Sequence, residues 1–297
     1  MVLTDPMQVT FTIGGWAAGG TDEFGCRWSV LTNTLFYGTA QKTHANERPF
    51  GIGGYRSRSY AAGRSFTLQG WCMPMADPSW PLLVAARDRL VSVLADGGSG
   101  LLVVDDGVSP RQLTIGRDEG APKWEVWDAN AGADWGLDFY AEDPRFLSLV
   151  ERTAQASLSN AAADGLDWGN GGLDWANGGL DWGASAVNNV LSMTNTGTAP
   201  EWPVLTITTA SAASDLAFTD LATGRVLGYT GSIVAGQTLR IDCSPFTTSP
   251  AALDGIDRTG ALTSADFIEI PPGATRSVQF SGVGDATVVA TWHDAYN

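Results

Sequence analysis

Along 297 residues only one stretch repeats its apolar side chains at helical spacing. Nearly every other apolar run is short, alternates with polar residues at period two and ends at a glycine-bearing turn. Such a chain has to build its cores from sheets; it cannot be a coiled coil, a collagen-like polymer or a mostly disordered tail. Val9, Phe11 and Ile13 begin the pattern, and residues 65–73 continue it with Phe66, Leu68 and Gly70 on one face. Further strands are expected at 101–104, 111–115, 123–127 and 133–141, with Asp105-Asp106-Gly107 and Asp118-Glu119-Gly120 as two of the turns between them. Residues 142–146 read as a strand end closed by a sharp proline turn. From about Val187 the runs follow one another at 190–193, 202–208, 215–219, 226–229, 237–242, 266–270, 276–280 and 287–292. Thr223-Gly224, Ala235-Gly236 and Pro272-Gly273 supply turns among them, and this spacing predicts an all-β sandwich.

The helical exception follows Asp77-Pro78, where Asp77 suits an N-cap and Pro78 a first helical position. Leu82, Leu83, Ala86, Leu90, Val93 and Leu94 make one apolar stripe, Arg87, Asp88 and Arg89 face away, and Gly97-Gly98 is expected to end it. One amphipathic helix among many strands implies a sheet for it to lie across.

The length suits two domains, and 44% apolar against 16% charged residues leaves enough material for two cores. We place a first domain at 1–156, a linker at 157–186 and a second domain at 187–297. The linker is marked by three copies of Gly-Leu-Asp-Trp at seven-residue intervals, ending in Trp168, Trp175 and Trp182. Its glycines and Asn-Gly pairs would each cost about 1 kcal/mol in a helix. On a strand the odd interval would send successive tryptophans to opposite faces. A looped linker or tandem tight turns fits better, and Asp-Trp pairs also suit sugar stacking, which makes the three tryptophans candidate carbohydrate contacts.

Charge divides the chain further. Seventeen Lys+Arg against 32 Asp+Glu leave a net charge of −15, which argues against gripping nucleic acid through its phosphates. An acidic surface suits either plain solubility or a passage through which DNA slides without sticking. Residues 105–151 hold eleven acids and four bases. The opposite sign is concentrated at 42–64, where Lys42, Arg48, Arg56, Arg58 and Arg64 face Glu47 alone in a glycine-broken loop. These five are candidate partner contacts, an arm for an acidic neighbour.

No chemistry is expected. Cys26, Cys72 and Cys243 are too widely spaced for a metal knuckle or a disulfide framework and read as buried thiols. His44 and His293 have no metal-ligand companions, and the chain holds no nucleophile elbow, phosphate loop or dinucleotide fingerprint. The adjacent carboxylates Asp105-Asp106 and Glu142-Asp143 would point to opposite faces of a strand, so no facing acid–base pair is read from them. A two-carboxylate glycosidase is the weakest of the readings. No basic leader, no run of eighteen apolar residues and no cofactor motif is found, and the product is expected to be soluble, made in a cytoplasm and not inserted in a membrane.

The order of features carries a resemblance. Residues 141–146 (Ala-Glu-Asp-Pro-Arg-Phe), the Gly-Leu-Asp-Trp repeats, Asn195 to Ile207, Ala235 to Asp242, Ile270-Pro-Pro-Gly273 and the closing Ala290 to Tyr296 resemble the distal tail proteins of phages with long flexible tails. The likeness covers most of residues 60–297 and is most specific at 195–207 and 292–296. It implies a mainly β, non-enzymatic structural protein of the virion tail tip, assembled in the host bacterial cytoplasm. Its first domain would resemble the tail-tube subunit and form a homohexameric ring, and its second would be a galectin-like β-sandwich. Implied partners are the tube protein, the tip hub protein and receptor-binding proteins, with DNA passing through the lumen without specific binding. The alternative is a tail adhesin that contacts host polysaccharide.

Overall fold

The structure, a computed structural model, describes residues 9–36, 41–42, 45–47, 54–56, 60–75, 79–127, 131–158 and 188–297. The chain divides into two compact units, Met1–Leu149 with Tyr296–Asn297, and Val150–Ala295. Both are mainly β.

The first unit contains β1 (Thr10–Ile13), β2 (Trp16–Ala18), β3 (Gly20–Thr21), β4 (Cys26–Asn33), β5 (Gln41–Lys42), β6 (Ala45–Glu47), β7 (Gly54–Arg56), β8 (Tyr60–Ala61) and β9 (Arg64–Pro74). After these come α1 (Trp80–Ser92), β10 (Ser99–Asp105), β11 (Arg111–Arg117), β12 (Lys123–Val126), β13 (Ala133–Ala141) and the start of β14 (Phe146–Leu158). One antiparallel ladder runs β2–β1–β10–β11 and another runs β3–β4–β9–β13–β12. They join where Gly116 and Arg117 of β11 pair with Tyr140 and Phe139 of β13.

Alternation decides which side each strand buries. In β13 the odd-numbered residues from Ala133 to Ala141 go inward, and in β9 Phe66, Leu68 and Cys72 do the same. The centre of the core is four tryptophans from four strands or their edges. Trp16 lies 5.6 Å from Trp28 and 5.3 Å from Trp135, while Trp124 stands 6.2 Å from Trp28, mostly at the edge-to-face angles that the aromatic quadrupole favours. Leu83, Ala86 and Leu90 bury one face of α1.

Two details of α1 differ from the sequence reading. Asp77 and Pro78 lie outside the described residues; Ser79 is the N-cap and Pro81 falls in the first turn. The helix also stops before Gly97, with Val93 as its C-cap. Val93 is buried and Leu94 packs against the core from a left-handed backbone at φ 49°, so inward packing ends the helix early.

The second unit takes the rest of β14 and adds β15 (Val190–Asn195), β16 (Val204–Asp220), β17 (Val226–Tyr229), β18 (Thr238–Asp242), β19 (Ala251–Leu253), β20 (Ile256–Asp257), β21 (Leu262–Ala265) and β22 (Ala274–Tyr296). The runs expected at 202–208 and 215–219 are one 17-residue strand, and those at 276–280 and 287–292 are one of 23 residues. They pair with each other across irregularities at Thr209/Ala213 and Ser214/Ala217, where Asp215, Gly282 and Gly284 take positive φ. What looked like turns are bulged corners: β16 pairs with β18 before the corner and with β17 after it. Residues 266–270 form no strand; only Ile270 bridges, to Glu201, while Ile268 and Ile270 stay buried. Phe218 and Phe280 stack at 4.9 Å in the centre of this core.

Candidate assembly surfaces

Two short antiparallel pairings are described within the basic segment, between β4 and β9. Gln41 and Lys42 pair with Ala61 and Tyr60, and further out Ala45, Asn46 and Glu47 pair with Arg56, Tyr55 and Gly54. Lys42 and Arg56 therefore sit on its ladders, and Arg48 and Arg58 lie outside the described residues. Arg64 does not belong to this arm. It opens β9 only 5% exposed, donates a hydrogen bond from its guanidinium to the Leu35 carbonyl, and lies 4.8 Å over the Phe146 ring. Burial pulls its pKa down, and its charge serves the core of the first unit rather than an outside partner. Trp168, Trp175 and Trp182 lie outside the described residues.

The acids of 105–151 do not share one surface. Asp105 and Asp106 are turn acceptors, the first taking the Gly107 N–H at 2.8 Å and the second the Val108 and Ser109 N–H groups at 3.0 and 2.8 Å. Those two bonds hold the Asp106 carboxyl below its usual range. Asp143 in the β13–β14 turn pairs with Arg145 at 2.6 Å. Both adjacent-acid pairs are thus parts of turns, which is why they make no acid–base dyad. Glu125, Asp134 and Asp138, by contrast, lie on the outer face of the β4–β9–β13–β12 ladder.

Register builds that face. Ser29, Trp71, Asp134 and Glu125 are consecutive partners in one row across the four strands. Beside it run Gln69, Gly136 and Lys123, then Thr67 and Asp138, joined by a 2.5 Å hydrogen bond from the Thr67 hydroxyl. Trp127 closes the row from beyond β12: its backbone N–H reaches the Gly132 carbonyl at 2.9 Å and its ring stands 6.5 Å from that of Trp71. A Cβ on Gly132 would fall 2.8 Å from the Trp127 ring, so the indole can lie there only over a glycine. No single segment of sequence signals this cluster, because three strand pairings make it.

The second unit treats its polar groups differently. Asn195 donates to the Ala199 and Ile270 carbonyls at 2.7 and 3.3 Å and accepts from the N–H groups of Gly197 and Ala295 at 2.9 and 3.3 Å. Asp294 accepts the Thr196 N–H at 2.8 Å and its hydroxyl at 2.6 Å, and pairs with Arg152 at 2.6 Å. Burial works to raise the Asp294 carboxyl, but these donors outweigh it and hold it below the ordinary carboxylate range. Trp292 donates to the Thr194 carbonyl at 2.9 Å. A Cβ on Gly197 would meet the Ala295 carbonyl oxygen at 1.9 Å, so the two segments touch backbone to backbone. The stretches 195–199 and 292–295, which carry the most specific part of the family resemblance, are thus a clamp that ties the end of β22 to β15.

Among the described residues no three His, Cys, Asp or Glu side chains converge as metal ligands. All three cysteines are buried free thiols; burial pushes Cys72 up and Cys243 up to about 12, the opposite of an activated nucleophile. A concavity of about 550 Å³ in the first unit, lined by Ile13, Trp16, Arg89, Leu94 and Leu101, holds no catalytic pair, since Arg89 is engaged by Asp22 and Glu23 at 3.0 Å.

Residues 196–296 match the family model of the C-terminal domain of siphovirus-type tail components. No curated protein matches the chain. Among solved structures, the Dit protein of phage SPP1, described as a paradigm of the hub adsorption apparatus in phages infecting Gram-positive bacteria, is similar at a TM-score of 0.62. It is 14% identical, over 95% of this chain and 98% of that one. The activated phage P2 baseplate with Ca and with Sr gives TM-scores of 0.49 and 0.47 at 10% identity, over 95% of this chain and 97% of each. The likeness to distal tail proteins read from the sequence is shown through the C-terminal domain and through the fold.

Proposed function

We propose that this chain is a structural subunit of a phage tail tip, an annular hub joining the tail tube to tip and receptor-binding proteins and leaving a passage for DNA. The observation that carries the reading is the coincidence of two matches: the tail-component model over 196–296, and a hub protein's fold over 95% of the chain. The first unit is the ring former, a homohexamer as in the resembled family, and the second, galectin-like, unit faces outward to partners. Supporting this division, the first unit owns the basic arm and an open sheet face, whereas the second unit spends Asn195 and Asp294 on internal hydrogen bonds.

Electron microscopy of phage particles carrying a tag on this chain tests the reading. A ring of tagged density between tube and tip is expected; tag density anywhere else on the particle, or none, contradicts it.

A further inference from the structure

We propose that the step formed by Trp71, Trp127, Asp134 and Glu125 on the outer sheet face receives an arginine or lysine from the basic arm of a second copy of this chain. The inference rests on the reading above, that the chain assembles with its own copies, and names the contact.

The step breaks two local rules at once. Asp134 and Glu125 stand directly opposite on neighbouring antiparallel strands, where like charges repel. Asp134 is also half-buried, with no cation or donor against its carboxylate among the described residues. Glu125 has only Lys123, 3.5 Å away and half exposed, a contact that solvent screens. Trp71 is the register partner of Asp134, its ring is tilted 49° from that of Trp127, and aromatic faces attract cations.

The same parts occur complete elsewhere in the unit. Arg89 lies 4.3 Å over the Phe24 ring and 3.0 Å from both Asp22 and Glu23, one guanidinium serving an aromatic ring and two carboxylates. The outer step has the two indoles and the two acids and, among the described residues, no cation on Asp134 and only the exposed Lys123 on Glu125. Most described arginines are already engaged, by Asp88, Asp143, Asp294, Asp242 and Asp220 among others. The arm holds Lys42, Arg48, Arg56 and Arg58 against Glu47 alone, in a chain whose net charge is −15. It is the complement this face asks for.

The root of the arm and the step lie at different ends of β9. The arm is rooted at the Arg64 end of β9, whereas Trp71 lies seven residues along that strand, about 23 Å away at 3.3 Å per residue. A donor at one end of a sheet and an acceptor at the other make a head-to-tail contact, the kind that closes rings.

Native mass measurement of the full chain, with crosslinking, tests this. Asp134→Arg is expected to weaken self-assembly at least tenfold, Asp134→Asn and Glu125→Gln less, and Asp134→Arg combined with Arg48→Glu, Arg56→Glu and Arg58→Glu to recover it. Circular dichroism and the milder variants separate a folding defect from lost contact. Mixing a Glu125→Cys chain with an Arg56→Cys chain should give a disulfide between chains. Wild-type protein that assembles while the Asp134 variants assemble equally well overturns this inference alone. So does a link that forms only inside a doubly substituted chain, or only to tube protein. Wild-type protein that stays monomeric in solution and on tails overturns the hub reading, and this contact with it.

Discussion

The clamp of the second unit and the outer step of the first are built from similar side chains and treat them in opposite ways. Asn195 uses all of its amide in four hydrogen bonds, and Asp294 accepts from the N–H and hydroxyl of Thr196 and from two guanidinium N–H groups of Arg152. Asp134 faces Glu125 across a ladder, and among the described residues no cation answers it. A saturated polar group has nothing left for a partner, so its value is stability; an unsaturated one on an open face has its value elsewhere. The difference separates what holds this fold from what the fold offers.

The largest effect that would sharpen the contrast is expected from Gly197→Ala. A methyl 1.9 Å from the Ala295 oxygen forces the clamp apart, and the second unit should lose about 3 kcal/mol, read by denaturant unfolding with hydrogen exchange in β15 and β22. Unchanged exchange there would mean that the clamp is dispensable. Asp294→Asn keeps the shape but loses charge-assisted bonds to Thr196 and Arg152, and should cost about 1–2 kcal/mol by the same assay.

Acid should act on the same group. Asp294, and Asp220 with its Thr223, Ala222 and Arg276 partners, are held below their unfolded values despite burial. Folded carboxyls with depressed pKa bind fewer protons than unfolded ones. Their stabilisation is therefore complete above about pH 5 and lost as pH falls through the folded values below about 4. Thermal melts of the Asp294→Asn variant should accordingly show a shallower loss on acidification than wild type; parallel pH profiles would assign the acid sensitivity to other groups. The smallest effect belongs to the outer step. Asp134→Asn in the lone chain should change stability by less than about 0.5 kcal/mol, or raise it slightly by removing a like-charge contact. A loss as large as that at Asp294 would erase the distinction between the two sites.

Much of the framework was legible because alternation is a local signal. The strand expected at 133–141 is β13 (Ala133–Ala141), and that at 226–229 is β17 (Val226–Tyr229). Errors fell where tertiary packing decides. The strands expected at 276–280 and 287–292 are one, because Gly282 and Gly284 at positive φ let β22 bend at a bulge and continue. Residues 266–270 alternate like a strand, but most of their backbone finds no ladder to join.

Sites were less legible than strands. Arg64 belongs to the basic segment by sequence and to the core by structure, since only the fold brings Leu35 and Phe146 around it. Trp71, Glu125, Trp127 and Asp134 meet through the register of three strands, and Asn195 and Ala295 lie 100 residues apart. The clamp announced itself only through family resemblance, and the outer step not at all.

Oxidative footprinting of tryptophans in dissociated and assembled protein tests most directly whether the outer face of the first unit is the working surface. Trp71 and Trp127, half-buried in the single chain, should lose most of their labelling on assembly, while Trp292, 5% exposed within the clamp, stays unlabelled in both. Equal labelling of Trp71 and Trp127 in the two states would contradict the account.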